Sequence, residues 1–212
     1  MKKKNGFTLA EALITIGIIG VIAALTLPSL THDIQKQKIG PTLAKAVNTL
    51  ENANMDLLRE TETPNLKLAC GDDGYIDCLA NKSNIAGTPT YIGENYCIQT
   101  KDGIAFCSAS AAISISDCPE KYYGEAYDLT IDIDPNREQG AAIDTFYFYV
   151  DFKGQVIPEG GRLYNSYTGK DTKEAPTWEG NCDKNNFKNT DLAKRSCAGS
   201  IADNGWKVIY KL

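Results

Sequence analysis

GFTLAEALITIGIIGVIAALTLP, residues 6–28, is the stretch on which the architecture turns. From Phe7 to Leu27 it offers 21 residues with one ionisable side chain, Glu11. About 20 apolar residues suffice to cross a bilayer core as a helix. Lys2-Lys3-Lys4-Asn5-Gly6 stands directly ahead of it. Positive charge before a span holds that end in the cytoplasm, which puts everything after the span on the far side. Beyond Pro28 no comparable run recurs in the 212 residues. The chain therefore reads as one membrane-length segment followed by a water-soluble remainder.

Three kinds of segment begin this way. A secretory signal peptide has a shorter apolar core, about 7–15 residues, ending in small residues at its cleavage site. A simple single-span anchor carrying an extracytoplasmic binding domain explains the length and the lysines but leaves Glu11 without a purpose. The third reading rests on Gly6-Phe7-Thr8-Leu9-Ala10-Glu11-Ala12-Leu13, which resembles the type IV prepilin signal shared by pilins and type II secretion pseudopilins. The resemblance runs from the basic leader to Thr-Leu-Pro at 26–28, with Ala10 standing where a larger aliphatic is commoner.

That resemblance implies a structural subunit rather than an enzyme. A membrane-embedded prepilin peptidase would cut between Gly6 and Phe7 and methylate the new amine of Phe7. The implied partners are like pilin subunits, that peptidase, the membrane itself, and an inner-membrane assembly platform with its ATPase. The precursor would sit in the inner membrane with its N-terminus cytoplasmic, and the mature domain would be periplasmic or extracellular in a filament.

The physics of Glu11 agrees, because an ionisable group inside a membrane segment marks a site with a partner. Cleavage would create a positive amine on Phe7, four residues earlier. Residues i and i+4 are neighbours on a helix, so Glu11 could neutralise its own terminus. The resemblance implies the other pairing, with the Phe7 amine of an adjacent subunit, which would set subunit register. Gly17, Gly20 and Pro28 interrupt the pattern, and Pro28, lacking an amide hydrogen, is expected to kink the helix.

Leu30, Ile34, Ile39, Leu43, Val47, Leu50, Leu57 and Leu58 continue at helical spacing with polar residues between them. The expected divisions are a leader over 1–6, a transmembrane and assembly helix over 7–30, and an amphipathic continuation over 31–62. A β-rich extracytoplasmic domain is expected over 63–212. Gly40-Pro41 is expected to bend or briefly break the helix, and Thr63-Pro64-Asn65 to end it.

In that domain, Tyr96–Thr100 and Ile104–Ser108 flank Lys101-Asp102-Gly103, a three-residue hairpin loop. Pairing Thr100 with Ile104 sets Cys97 opposite Cys107, the leading disulfide candidate. Proximity suggests Cys70 with Cys78 and Cys182 with Cys197, leaving Cys118. None of the seven cysteines sits in a tight metal-binding pair, and disulfides imply an oxidising compartment. Tyr127–Ile133, Thr145–Phe152 and Trp206–Tyr210 read as further strands. The expected fold is α+β: a long N-terminal helix packed on a small antiparallel sheet with disulfide-stapled loops.

Val150-Asp151-Phe152-Lys153-Gly154…Pro158 is similar to a turn common late in pilin-like domains. Lys153 and Leu163 depart from that pattern and argue against an inherited calcium site. The ending Cys197-Ala198…Asn204-Gly205-Trp206-Lys207 resembles the tail of one bacterial pilin-like group. Asp132-x-Asp134-x-Asn136-x-Glu138 invites a calcium reading too, but Arg137 and Ile143 stand where an EF-hand needs Gly and Glu. It reads as a solvated acidic loop. No metal or cofactor is expected. No nucleophile elbow or phosphate-binding glycine loop occurs, and the single histidine, His32, has no second to work with. Net charge is −5; without Lys2, Lys3 and Lys4 the 22 Lys and Arg become 19 against 27 Asp and Glu, or −8. Nothing there suggests nucleic-acid binding, which draws on a basic patch.

Overall fold

The computed structural model describes residues 8–71, 74–82, 85, 87–92, 95–114, 125–136, 143–163, 182 and 195–210. Helix α1, Leu9–Glu60, dominates them. Its 52 residues make a rod of about 78 Å at helical rise. Short helices α2, Leu66–Cys70, and α3, Tyr75–Lys82, follow. Six strands then form one antiparallel sheet in chain order. They are β1 (Thr90–Ile92), β2 (Asn95–Gln99), β3 (Ala105–Ser114), β4 (Glu125–Asp132), β5 (Thr145–Asp151) and β6 (Val156–Pro158). Helix α4, Cys197–Asp203, comes last. The class is α+β.

The outer half of α1 is helical because its apolar residues recur every three or four positions. Ile39, Leu43, Ala46, Leu50, Ala53 and Leu57 are all buried along one stripe. They pack with Phe106, Leu129, Ile131, Phe146, Phe148 and Val150, the alternate residues of β3, β4 and β5 that face α1. Leu66, Tyr75 and Leu79 of α2 and α3 close the side of this core.

One polar residue lies inside the stripe. Asn54 is fully buried; its Nδ2 donates to the Gly154 carbonyl at 3.0 Å and its Oδ1 accepts from the Tyr75 hydroxyl at 2.7 Å. One turn earlier, Glu51 Oε1 accepts from the Val156 amide at 3.1 Å. Helix α1 thus pins the β5–β6 turn and α3 by hydrogen bonds as well as by apolar contact. In that turn Asp151 is buried and its Oδ1 takes the amides of Lys153 and Gln155.

Disulfides join Cys70 to Cys78 between α2 and α3, Cys97 to Cys107 across β2 and β3, and Cys182 to the start of α4. In the β2–β3 register Cys97 lies directly opposite Cys107. Cys118 lies outside the described residues.

Two expectations are corrected. Helix α1 does not break at Gly40-Pro41; its helical backbone runs on through both. Gly40 is there for a different reason: a Cβ at this position would lie 1.8 Å from the Trp206 carbonyl oxygen, so only glycine lets the C-terminal segment close on the helix. Nor is Trp206–Tyr210 a strand, since the sheet ends at β6. Asn204-Gly205 is a helix stop. Gly205, at φ +66°, donates to the Ala202 carbonyl, and the Trp206 amide reaches back to Ile201 at 2.8 Å. This paired arrangement closes a helix through a left-handed residue. Trp206 is itself left-handed, at φ +60°, which no strand accommodates.

Candidate functional site

The first turn of α1 is built by its own sequence. Thr8, in extended backbone, is the N-cap. Its Oγ1 accepts from the Glu11 amide at 3.3 Å, and Glu11 Oε2 accepts from the Thr8 amide at 2.9 Å and the Thr8 hydroxyl at 2.7 Å. This reciprocal capping box satisfies amides that a helix start otherwise leaves bare. A carboxylate near the positive end of the helix dipole is favourable as well. Among the described residues, Thr8 alone bonds the Glu11 side chain, and it does so through one oxygen. The remaining lone pairs leave room for a further donor.

From this cap the helix runs clear of the core, which, among the described residues, it joins only at Ile39. None of the residues Leu9–Thr26 is buried, and their mean hydropathy is 2.2. Leu9 is 82% and Leu25 75% exposed, with Leu13, Ile14, Ile16, Ile19 and Val21 also open. In water such a surface would demand a cover, since isolated folded chains rarely expose one so continuous. It is long and apolar enough to cross a membrane. The bare apolar rod carries one acid, placed at its tip.

Gly6 and Phe7 lie outside the described residues. Glu11 stands in the first turn. Pro28 lies within α1, whose helical backbone continues through it. The sequence reading missed Thr8, although Thr-x-x-Glu ahead of an apolar run is the signature of a capping box.

Elsewhere Arg195 organises a cluster of charged groups. Arg195 Nε donates to both oxygens of Glu159 at 3.0 and 2.9 Å, its Nη2 lies 3.4 Å from Asp128, and its guanidinium stacks over Tyr147. One cation thereby holds two carboxylates and tethers the start of α4 to the sheet. Among the described residues no group of three or more His, Cys, Asp or Glu is placed to hold a metal ion. In the acidic loop Asp132 Oδ1 accepts from the Asp134 amide at 2.9 Å, while Glu138 lies outside the described residues.

Burial pushes the Asp132 carboxyl up to about 6, helped by the nearby charges of Asp144 and Asp134, against the Asp134 amide that favours the anion. The ionised form therefore costs stability above that pH. The cost fades as pH falls through 6 and is gone below the ordinary carboxylate range. Asp132→Asn keeps an acceptor for the Asp134 amide. It is expected to raise stability at pH 8 by roughly 1 kcal/mol, allowing for solvent screening of a half-exposed group, and to change nothing near pH 3. Urea unfolding of the detergent-solubilised chain at the two pH values checks this; an equal gain at both would remove the titration as its cause.

Residues 1–27 match the family model described as the prokaryotic N-terminal methylation motif. They carry a type IV pilin-like prepilin signal, and the match stops where the apolar run does. No solved structure matches the chain.

Proposed function

We propose that this chain is a structural subunit of a type IV pilus-like or type II secretion filament, polymerised through its N-terminal helix. One observation carries the reading: an unburied apolar helix with a single acid, Glu11, in its first turn and within a matched prepilin signal. An apolar rod of this kind suits the membrane before assembly and the neighbouring rods of a filament after it. In the proposal, residues 1–6 are the leader, cleavage falls between Gly6 and Phe7, and Phe7 is N-methylated. Residues 7–30 form the assembly segment, in which Glu11 meets the Phe7 amine of an adjacent subunit. Pro28, which cannot donate to the Ala24 carbonyl, is where we place a bend in that segment.

The precursor is held in the inner membrane with its N-terminus cytoplasmic, and the domain beyond residue 62 lies in the periplasm or outside the cell. Partners are like subunits, the prepilin peptidase, and an assembly platform with its ATPase. The disulfides Cys97–Cys107, Cys70–Cys78 and Cys182–Cys197 suit that oxidising side.

Mass spectrometry of the protein purified from its native envelope tests the reading. The expected N-terminal peptide begins at Phe7 with one added methyl group. A chain still beginning at Met1 would support the alternative, an anchored extracytoplasmic domain that never polymerises. Pilus and pseudopilus share this signal, so gene neighbours discriminate between them: a secretin with secretion components, or a retraction ATPase.

A further inference from the structure

Where α1 enters the domain, it and the segment after α4 enclose a groove of about 510 Å³. Lys36, Gln37 and Pro41 line it from the helix, and Trp206, Lys207 and Val208 from the other wall. Its lining surface is mostly apolar and its charged lining is cationic, in a chain whose net charge is −5. Among the described residues, neither Lys36 nor Lys207 makes an ion pair, and no carboxylate lines the groove. Trp206 is held there by a left-handed backbone and by the hydrogen bond that its amide donates to the Ile201 carbonyl.

We propose that this groove receives the phosphate headgroup of an anionic phospholipid, in the leaflet from which α1 emerges, and so docks the domain on the bilayer. The proposal rests on membrane insertion of α1 and is independent of polymerisation. A hydrocarbon core of about 30 Å takes up roughly 20 helical residues from Leu9 onward, and the headgroup layer another four or so. Lys36 then lies about one turn beyond the headgroups. Side chains on a helix lean towards its N-terminus, so the Lys36 stem reaches back to the membrane surface. A span tilted by about 20° brings one flank of the domain closer still. Charge complementarity selects the phosphate, and an amphipathic tryptophan in one groove with two lysines is the combination found at membrane interfaces.

The test uses the full chain with Trp178→Phe, which leaves Trp206 as the only tryptophan, in nanodiscs of phosphatidylcholine with increasing phosphatidylglycerol. Trp206 emission is expected to shift to the blue, and its quenching by acrylamide to fall, as phosphatidylglycerol is added. Lys36→Gln and Lys207→Gln are each expected to raise the phosphatidylglycerol fraction needed for half of the response by about fivefold. Identical emission in both lipids, or a response unchanged in the double variant, overturns the proposal. Inorganic phosphate reproducing the shift in pure phosphatidylcholine overturns the lipid as its source. Co-elution with the nanodisc separates the cases: failure to insert sinks this proposal together with the membrane reading, whereas insertion without a lipid response sinks this proposal alone.

Discussion

Glu11→Ala is expected to give a folded, membrane-inserted subunit that no longer enters filaments. The carboxylate has two tasks in the proposed reading. Within the subunit it closes the first turn through Thr8, a contribution of about 1 kcal/mol to the helix. Between subunits it would meet the Phe7 amine inside an apolar environment. Removing one partner of a buried pair costs roughly 3–5 kcal/mol, because the other charge is left uncompensated. That is about a hundredfold or more in affinity at each junction, and a filament repeats the junction at every subunit. Thr8→Ala separates the two tasks, since it weakens the cap while leaving the acid in place. Filaments counted by electron microscopy should vanish for Glu11→Ala and persist for Thr8→Ala. Normal filaments from Glu11→Ala would reduce the acid to its capping role.

The second large effect is on stability. Asn54→Ala is expected to destabilise the domain by roughly 2–5 kcal/mol, because it strands two buried groups at once, the Tyr75 hydroxyl and the Gly154 carbonyl. The Tyr75 phenol is fully buried, and burial pushes its pKa well above the ordinary tyrosine range. It therefore stays a neutral donor in need of an acceptor. Adding Tyr75→Phe removes one of the stranded groups, so the double variant should lose at least about 1 kcal/mol less than the two single losses combined. Urea unfolding of the four proteins measures the cycle. Additive losses would mean that the hydrogen bond between these side chains carries no energy of its own.

Much of this architecture was legible in the chain. The span announces itself through 21 residues with one charge, and the stripe from Ile39 to Leu57 through its three-and-four spacing. Lys101-Asp102-Gly103 fits few loops other than a tight hairpin, and such a loop dictates the register of its strands. What stayed hidden had physical reasons. Strands β1 and β6 are three residues each, too short for alternation to appear. Asn54 is a polar residue on the buried stripe, and its partners lie 21 and 100 residues away. Gly40-Pro41 carries the usual marks of a helix break, yet a close approach by the Trp206 backbone accounts for the glycine. Asn204-Gly205 served equally well as a turn before a strand or a stop after a helix. Only the hydrogen bonds of Gly205 and Trp206 decide between them. At the candidate site the acid was visible from its rarity, whereas Thr8 was overlooked because a threonine is ordinary until its bond to Glu11 is seen.

Because α1 is a single rod passing from the exposed span into the domain, tension applied to its tip is delivered straight to the seam between helix and sheet. None of the three disulfides crosses that seam; they lie between α2 and α3, between β2 and β3, and at the start of α4. Among the described residues, resistance to pulling therefore comes from apolar side chains sliding in shear, together with the hydrogen bonds of Asn54 and Glu51 and the exposed ion pair of Lys45 with Asp102 in the β2–β3 loop. Oxidation would harden the loops of this domain while leaving its grip on α1 almost untouched.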